Sequence, residues 1–109
     1  MVKLIFLCRR RPDLTHEQYV ERVLRGHAPL ALRHHPTMRG YVVNVVERRL
    51  GTGGDAWDGF TELHFSSAEP IAGGLFDSPE GERAVRDDIA LFIGRAGAYR
   101  VAEYVFKLP

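Results

Sequence analysis

Residues 15–32, THEQYVERVLRGHAPLAL, decide the fold more than any other stretch of this sequence. Thr15 is followed three residues later by Gln18, a capping box that predicts a helix starting at Thr15. At about 100° per residue, one helical face collects Tyr19, Val20, Val23, Leu24 and His27. The charged residues fall on the opposite side. The helix is therefore predicted to be amphipathic, with the His27 imidazole pointing into the protein.

The same stretch has a weak point beside His27. Pro29 lacks a backbone donor and clashes with the carbonyl group of Arg25, and Gly26 weakens the same turn. The helix is therefore predicted to kink or pause beside His27 and to end before Pro36.

Strands and further helices are predicted on both sides of this helix. Short apolar or Val- and Tyr-rich runs predict strands at residues 2–8, 38–47 with their centre at 40–46, 58–65 and 99–106. Two helical pieces are predicted within residues 67–91. The first is signalled by Ser66 with Glu69 as a capping box, and the second by Ser78 before Pro79.

The resulting order of strand, helix, strand, strand, helix, strand is the split βαβ arrangement. It predicts an α+β, ferredoxin-like βαββαβ fold with a four-stranded antiparallel sheet. The helices then cover one face of the sheet, and the other face is left for a second subunit to cover. A chain of 109 residues with 45% hydrophobic residues has room for one domain, residues 1–109.

Composition excludes several classes of function. Fifteen Lys and Arg against fourteen Asp and Glu give a net charge of +1, and the only basic cluster, residues 9–11, is interpreted mainly as a solvated edge, so no nucleic-acid partner is expected. The apolar start, residues 2–8, is too short to span a membrane. Cys8 is the only cysteine, which excludes an intramolecular disulfide and favours a cytoplasmic location.

Several short motifs, in this order and spacing, resemble those of the EthD family within the dimeric α/β-barrel superfamily. They are TxxxY at residues 15–19, GHAPLA at 26–31, GYVVN at 40–44, WDG at 57–59, ELHF at 62–65 and SPEG at 78–81. The resemblance implies a homodimer and a dimeric α/β barrel. It leaves the function open, because similar proteins include polyketide cyclases, dehydratases, decarboxylases, a lactone isomerase and accessory proteins. The glycine-rich loop before Trp57, and His64 in place of a frequent aromatic residue, depart from the family pattern.

His27 is the leading candidate for a catalytic residue. It lies at the centre of an apolar helix face, beside a backbone break, and imidazole exchanges protons readily near neutral pH. The alternative is a core histidine that hydrogen-bonds to a carbonyl group. Because the His-x-Pro-Leu motif resembles that of the family, the catalytic interpretation and the core interpretation are about equally supported.

Six further residues are candidates for binding a substrate. Tyr41 and Asn44 could orient a substrate oxygen, but their positions in one strand place them on opposite faces. Glu62 and His64 share a strand face and form either an acid/base pair or, as the preferred interpretation, part of the subunit interface. Trp57 and Phe92 could supply apolar walls for a flat aromatic ligand, and Trp57, at the end of the glycine loop, could also act as a lid. The alternative for Trp57 is simple packing.

No metal site is expected, because no histidine pair has helical His-x-x-x-His spacing, and no phosphate-binding loop is present. The working hypothesis is a cofactor-free acid/base enzyme that acts on a polyketide-like or aromatic carbonyl compound. It would be a cyclase, dehydratase, isomerase or decarboxylase. The alternatives are a non-catalytic dimeric protein that binds a small hydrophobic or aromatic ligand and, third, a haem- or quinone-type monooxygenase.

Overall fold

The chain folds in the predicted order of strands and helices. A computed structural model describes all 109 residues. Its elements are β1 (Val2–Arg10), α1 (His16–Glu21), a π-helical segment (Arg22–His27), α2 (Ala28–His34), β2 (Gly40–Val45), β3 (Gly59–Phe65), α3 (Glu69–Gly73), α4 (Pro79–Ala90) and β4 (Ile93–Val101).

The four strands form one antiparallel sheet in the order β2-β3-β1-β4. β1 is central, and its Ile5 lies opposite Glu62 of β3 and Tyr99 of β4. β2 pairs with the other side of β3. This is the ferredoxin-like α+β fold predicted from the order of the elements.

The two faces of the sheet differ in what covers them, because side chains alternate along each strand. Phe6, Cys8 and Leu63 point towards the helices and line a cavity with helical residues. We call this the inner face. The opposite, outer face carries Val42 and Tyr99, whose exposed fractions are 41% and 57%.

The first helix begins as predicted and then leaves α geometry. The Thr15 hydroxyl accepts a hydrogen bond from the Gln18 amide, and the Gln18 side chain accepts one from the Thr15 amide, so the capping box is confirmed. In the π-helical segment the turn is wider, since hydrogen bonds span five residues, and the 100° step no longer applies. Tyr19 is buried as predicted, but the inward position predicted for Leu24 is wrong, because its side chain is 50% exposed.

The predicted interruption beside His27 is confirmed. The π-helical segment ends at His27, where the Ala28 amide donates to the carbonyl group of Val23, five residues back. α2 then starts, and Pro29 falls in its first turn. Proline fits the first turn of a helix, where no hydrogen-bond donor is needed.

The predicted last strand, residues 99–106, is wrong in its bounds. β4 runs from Ile93 to Val101, and Tyr104 and Phe106 lie beyond it with 78% and 96% exposure. Much of β4 consists of glycine and alanine, which have low strand propensity. Pairing along nearly the whole of β1 nevertheless forms this strand.

The starts of the later helices were predicted with mixed success. The Ser78 hydroxyl accepts a hydrogen bond from the Gly81 amide and caps α4, as predicted. The predicted capping box at Ser66 and Glu69 is wrong, because α3 follows Ala68, which has no side-chain cap.

A buried carboxylate holds the end of β1. Asp58 is 2% exposed and accepts hydrogen bonds from the Arg10 amide at 2.8 Å, Arg10 Nη1 at 2.6 Å and His16 Nδ1 at 2.7 Å. Burial acts to raise the pKa of Asp58, but these hydrogen bonds lower the pKa overall. Arg10 is thus bound to Asp58, although its side chain stays 40% exposed. Arg9 is exposed, as expected for the predicted solvated edge.

No helix is long and apolar enough to cross a bilayer. The cytoplasmic location stays a prediction from the sequence.

Candidate functional site

A cavity of about 300 Å³ lies between the helices and the inner face of the sheet. Fifteen of its nineteen lining residues are hydrophobic, which suits an apolar ligand. The polar lining residues are His27, His35, Thr61 and Arg86. Three of the residues predicted for the site also line it: His27, Tyr41 and Phe92.

His27 enters this cavity from the end of the π-helical segment. Its side chain is 12% exposed, and its ring centroid lies 5.2 Å from that of Phe92. His27 Nδ1 is 2.9 Å from Oδ2 of Asp88, a residue of α4 that is 6% exposed. The other carboxylate oxygen of Asp88 accepts a hydrogen bond from Arg22 Nη2. The imidazole is thus held by a buried carboxylate whose charge an arginine balances.

The surroundings of His27 keep the ring neutral. Burial, followed by the charges of His35 and Arg22, lowers the pKa of His27 to about 4. A neutral imidazole has one N–H group, and a carboxylate can only accept, so Nδ1–H donates to Asp88 and Nε2 carries the lone pair. Nε2 makes no hydrogen bond within the protein. Every fully buried side-chain nitrogen or oxygen of the protein has a hydrogen-bond partner, so Nε2 is not fully buried. Nε2 is therefore accessible, as a proton acceptor must be.

Two phenol groups lie in the same cavity. Burial raises the pKa of Tyr41 to about 12 and also raises the pKa of Tyr19, so both hydroxyls keep their protons and can donate. Tyr19 packs in one buried cluster with Cys8, and burial raises the pKa of the Cys8 thiol. A buried thiol with a raised pKa is a poor nucleophile.

The other strand residues predicted for the site lie on the outer face. Asn44 Nδ2 donates to Glu62 Oε2 at 3.0 Å, and Lys3 Nζ lies 2.7 Å from Glu62 Oε1. His64 Nε2 is 3.4 Å from the same Oε1. The hydrogen bond from Lys3 is the largest influence on Glu62 and lowers the pKa of its carboxyl group. The Glu62 and His64 pair exists, but the sheet separates it from His27, and Tyr41 and Asn44 face opposite sides as predicted.

Trp57 lies outside the His27 cavity. It lines an open groove of about 810 Å³ with Asn44, Leu50 and Phe60, and the guanidinium group of Arg95 lies 5.6 Å from its ring centroid. Trp57 therefore does not close the cavity that contains His27 in this conformation.

Sequence reasoning missed Asp88, Arg22 and His35. The signal for Asp88 was present, because it follows the buried Val85 by three residues and precedes the buried Phe92 by four, the spacing of one helical face. A carboxylate on an apolar helix face needs a partner. Arg22 was placed on the solvent side, but its guanidinium reaches Asp88. His35 gave no signal in the sequence.

No group of three or more histidine, cysteine, aspartate or glutamate side chains has a geometry that could hold a metal ion. The polar groups of the cavity are instead hydrogen-bond donors and acceptors.

A protein-family model described as the EthD domain matches residues 11–96 of this chain. No protein of curated function gives a significant match.

Solved structures share the fold. An ethyl tert-butyl ether D (EthD) family protein from Bacillus halodurans is 25% identical, with a TM-score of 0.70 over 95% of this chain and 99% of that one. A protein of Arabidopsis thaliana is 15% identical, with a TM-score of 0.74 over 99% and 100%. A dimeric ferredoxin-like protein of unknown function from Thermobifida fusca is 19% identical, with a TM-score of 0.65 over 94% and 90%.

Proposed function

This chain belongs to the EthD domain family, and from that premise we propose that it is a cofactor-free acid/base enzyme. Its substrate is a polyketide-like or aromatic carbonyl compound, and the reaction is a cyclisation, dehydration, isomerisation or decarboxylation. His27 transfers the proton. The observation that carries the proposal is the His27 imidazole at the wall of an apolar cavity, with Nδ1 held by Asp88 and Nε2 without a hydrogen-bond partner in the protein.

In the proposed reaction, His27 Nε2 removes a proton from the carbon next to the substrate carbonyl group. The imidazolium ion that forms is stabilised by the Asp88 carboxylate, which also fixes the tautomer that makes Nε2 basic. The negative charge moves to the carbonyl oxygen, where a phenol hydroxyl such as that of Tyr41 donates a hydrogen bond. His27 then returns its proton to the product, so the enzyme regains its starting state.

The apolar lining supports this chemistry in a second way. With few polar side chains around the substrate, each hydrogen bond to the developing negative charge is stronger than it would be in water. The raised pKa of Tyr41 keeps its donor hydrogen in place throughout the reaction.

The test is exchange of the carbon-bound protons of 1-phenylpropan-2-one and related aromatic ketones in deuterated buffer, followed by NMR. The wild-type protein is expected to accelerate exchange, and His27→Asn to lose about 100- to 10,000-fold of that acceleration. An asparagine amide can still donate to Asp88, so the fold is expected to survive. His64→Asn, on the outer face, is the matched control and should exchange at the wild-type rate.

A second candidate function is non-catalytic binding of a small hydrophobic or aromatic ligand in the same cavity. The predominance of hydrophobic residues in its lining favours this function. Ketones that bind without faster exchange would support it and contradict the enzymatic proposal. Full exchange activity in His27→Asn would instead contradict the role of His27.

We also propose that the protein is a homodimer in which the outer faces of two sheets meet. Val42 and Tyr99 leave apolar surface exposed there, and similar folds from Thermobifida fusca and Bacteroides fragilis are described as dimeric. Analytical ultracentrifugation of Val42→Lys should give a monomer. Leu32→Lys, at a helical position that is 60% exposed, should stay dimeric. A monomeric wild-type protein would contradict the dimer.

A further inference from the structure

The cavity contains a second buried imidazole that the proposed reaction does not use. His35 directly follows α2 and is 7% exposed. Its Nδ1 lies 2.9 Å from the carbonyl oxygen of Leu75, and its ring centroid lies 4.5 Å from that of Phe76. These two contacts fix both the position and the orientation of the ring.

The partner of His35 also fixes its tautomer. A carbonyl oxygen can only accept, so Nδ1 carries the hydrogen and donates it to Leu75. Burial lowers the pKa of His35, and the ring is neutral near pH 7 with its lone pair on Nε2. His35 Nε2 makes no hydrogen bond within the protein. Every fully buried polar side-chain atom has a hydrogen-bond partner. Nε2 is therefore not fully buried, and the His35 ring lines the cavity.

His27 and His35 thus present the same chemistry from two places. Each ring donates from Nδ1 to the protein and leaves Nε2 as an acceptor. Eight residues of helical rise separate their Cα atoms by roughly 12 Å. An apolar compound between them meets one acceptor near each end, and a ligand group that itself only accepts would leave the His35 lone pair unpaired at a cost.

We propose that His35 is a specificity-determining residue, which selects substrates that carry a hydroxyl donor at the end remote from the carbonyl group that reacts at His27. This inference rests on the proposed function for the identity of the reacting end. The substrate class is an aromatic carbonyl compound with a distal phenol or enol hydroxyl. The hydroxyl donates to His35 Nε2, and the remaining surface of the compound packs against the apolar lining.

A substitution can distinguish this role from a purely structural one, in which His35 only links Leu75 to the end of α2. His35→Asn keeps an amide N–H that can donate to the Leu75 carbonyl, but it removes the Nε2 acceptor. Thermal unfolding of His35→Asn near the wild-type temperature shows that this link survives. His35→Gln can present an amide oxygen near the Nε2 position, so it should recover part of the selectivity.

The experiment measures dissociation constants of 1-(4-hydroxyphenyl)propan-2-one, its 4-methoxy ether and 1-phenylpropan-2-one by calorimetry. The wild-type protein is expected to bind the hydroxyl compound about five- to tenfold more tightly than either of the others, the worth of one buried hydrogen bond. In His35→Asn this ratio should fall to about one or below. His27→Asn should keep the ratio while it loses proton exchange.

The inference and the proposed function can fail separately. No preference for the hydroxyl compound in the wild-type protein, no binding of any of the three ketones, or an unchanged preference in folded His35→Asn, overturns the role of His35. A preference that depends on His35, without any acceleration of proton exchange, supports the His35 binding site and overturns only the enzymatic proposal.

Discussion

The two histidine and carboxylate pairs of this protein lie on opposite faces of one sheet and have different surroundings. On the inner face, His27 and Asp88 are 2.9 Å apart, and their side chains are 12% and 6% exposed. On the outer face, His64 and Glu62 are 3.4 Å apart, and their side chains are 24% and 22% exposed. Both carboxylates also contact a cation.

The comparison teaches that closeness of an imidazole to a carboxylate does not by itself make an acid/base site. Glu62 is bound by Lys3 and Asn44, and His64 is its most distant partner. Asp88 instead fixes one nitrogen of His27, burial lowers the pKa of the ring, and the ring lines the cavity. Enclosure, more than composition, distinguishes the inner pair.

The largest expected difference between the two pairs is in stability. Asp88→Ala leaves the buried His27 Nδ1–H without its acceptor and also removes the partner of Arg22. The free energy of unfolding should fall by about 2–4 kcal/mol, and not by more, because the Arg22 side chain is partly exposed to water. Glu62→Ala, on the more exposed face, should cost at most about 1 kcal/mol. Urea denaturation at one fixed protein concentration measures both. Equal losses would contradict the distinction between the faces.

The next largest effect is the dependence of stability on pH. The pKa of His27 is about 4 in the folded protein and about 6.5 in an unfolded chain, so only the unfolded chain binds this proton between those values. Stability is therefore full above pH 6.5 and is lost as the pH falls towards 4, by about 3 kcal/mol at most.

His27→Asn should flatten this dependence more than His64→Asn, which removes only the most distant partner of Glu62. Arg22, Asp88 and His35 face the His27 ring and stay in place in both variants. Burial also lowers the pKa of His35, which adds a slope of the same sign that both variants retain. A wild-type slope that persists in His27→Asn would contradict the assignment to His27.

Much of this comparison could be predicted from local sequence. The Thr15 capping box and the 100° period placed His27 inward, and the two-residue period of strands separated Tyr41 from Asn44. These features depend only on neighbouring residues. The change from π-helical to α-helical geometry beside Pro29 also depends only on neighbouring residues.

Contacts between distant segments could not be predicted in the same way. Asp88 meets His27 only because α4 packs beside the π-helical segment, and Leu75 meets His35 across forty residues. The bounds of β4 depend on its pairing with β1, against the weak strand propensity of its glycines and alanines. The partners of His27 and His35 could therefore not be identified from the sequence alone.

Two glycines sharpen the comparison of the faces. A Cβ atom at Gly59, on the inner face, would lie 2.7 Å from the Tyr19 hydroxyl and 3.0 Å from the carbonyl oxygen of Asn44. Gly59→Ala should therefore displace the buried Tyr19 ring and lower the free energy of unfolding by about 1–2 kcal/mol. At Gly97, on the outer face, the atom nearest to the Cβ atom is 3.1 Å away and belongs to the exposed side chain of Tyr99.

Gly97→Ala should change stability by at most about 0.5 kcal/mol, since alanine also restricts the unfolded chain. Thermal unfolding at several protein concentrations measures both variants. A loss at Gly97 as large as that at Gly59 would contradict the difference between the two faces. A neutral Gly59→Ala would contradict close packing between Tyr19 and the sheet.

The smallest expected effect tests how Asp88 and Arg22 share control of His27. Arg22→Gln keeps a hydrogen-bond donor for Asp88 but removes the positive charge, so the carboxylate should favour protonation of the ring and raise the pKa of His27 by about one unit. The NMR shift of the His27 ring proton, assigned by its loss in His27→Asn, measures this pKa. Arg25→Gln, at an 81% exposed side chain that pairs with Glu21, is the matched control. An unchanged His27 pKa in Arg22→Gln would mean that burial alone keeps the ring neutral.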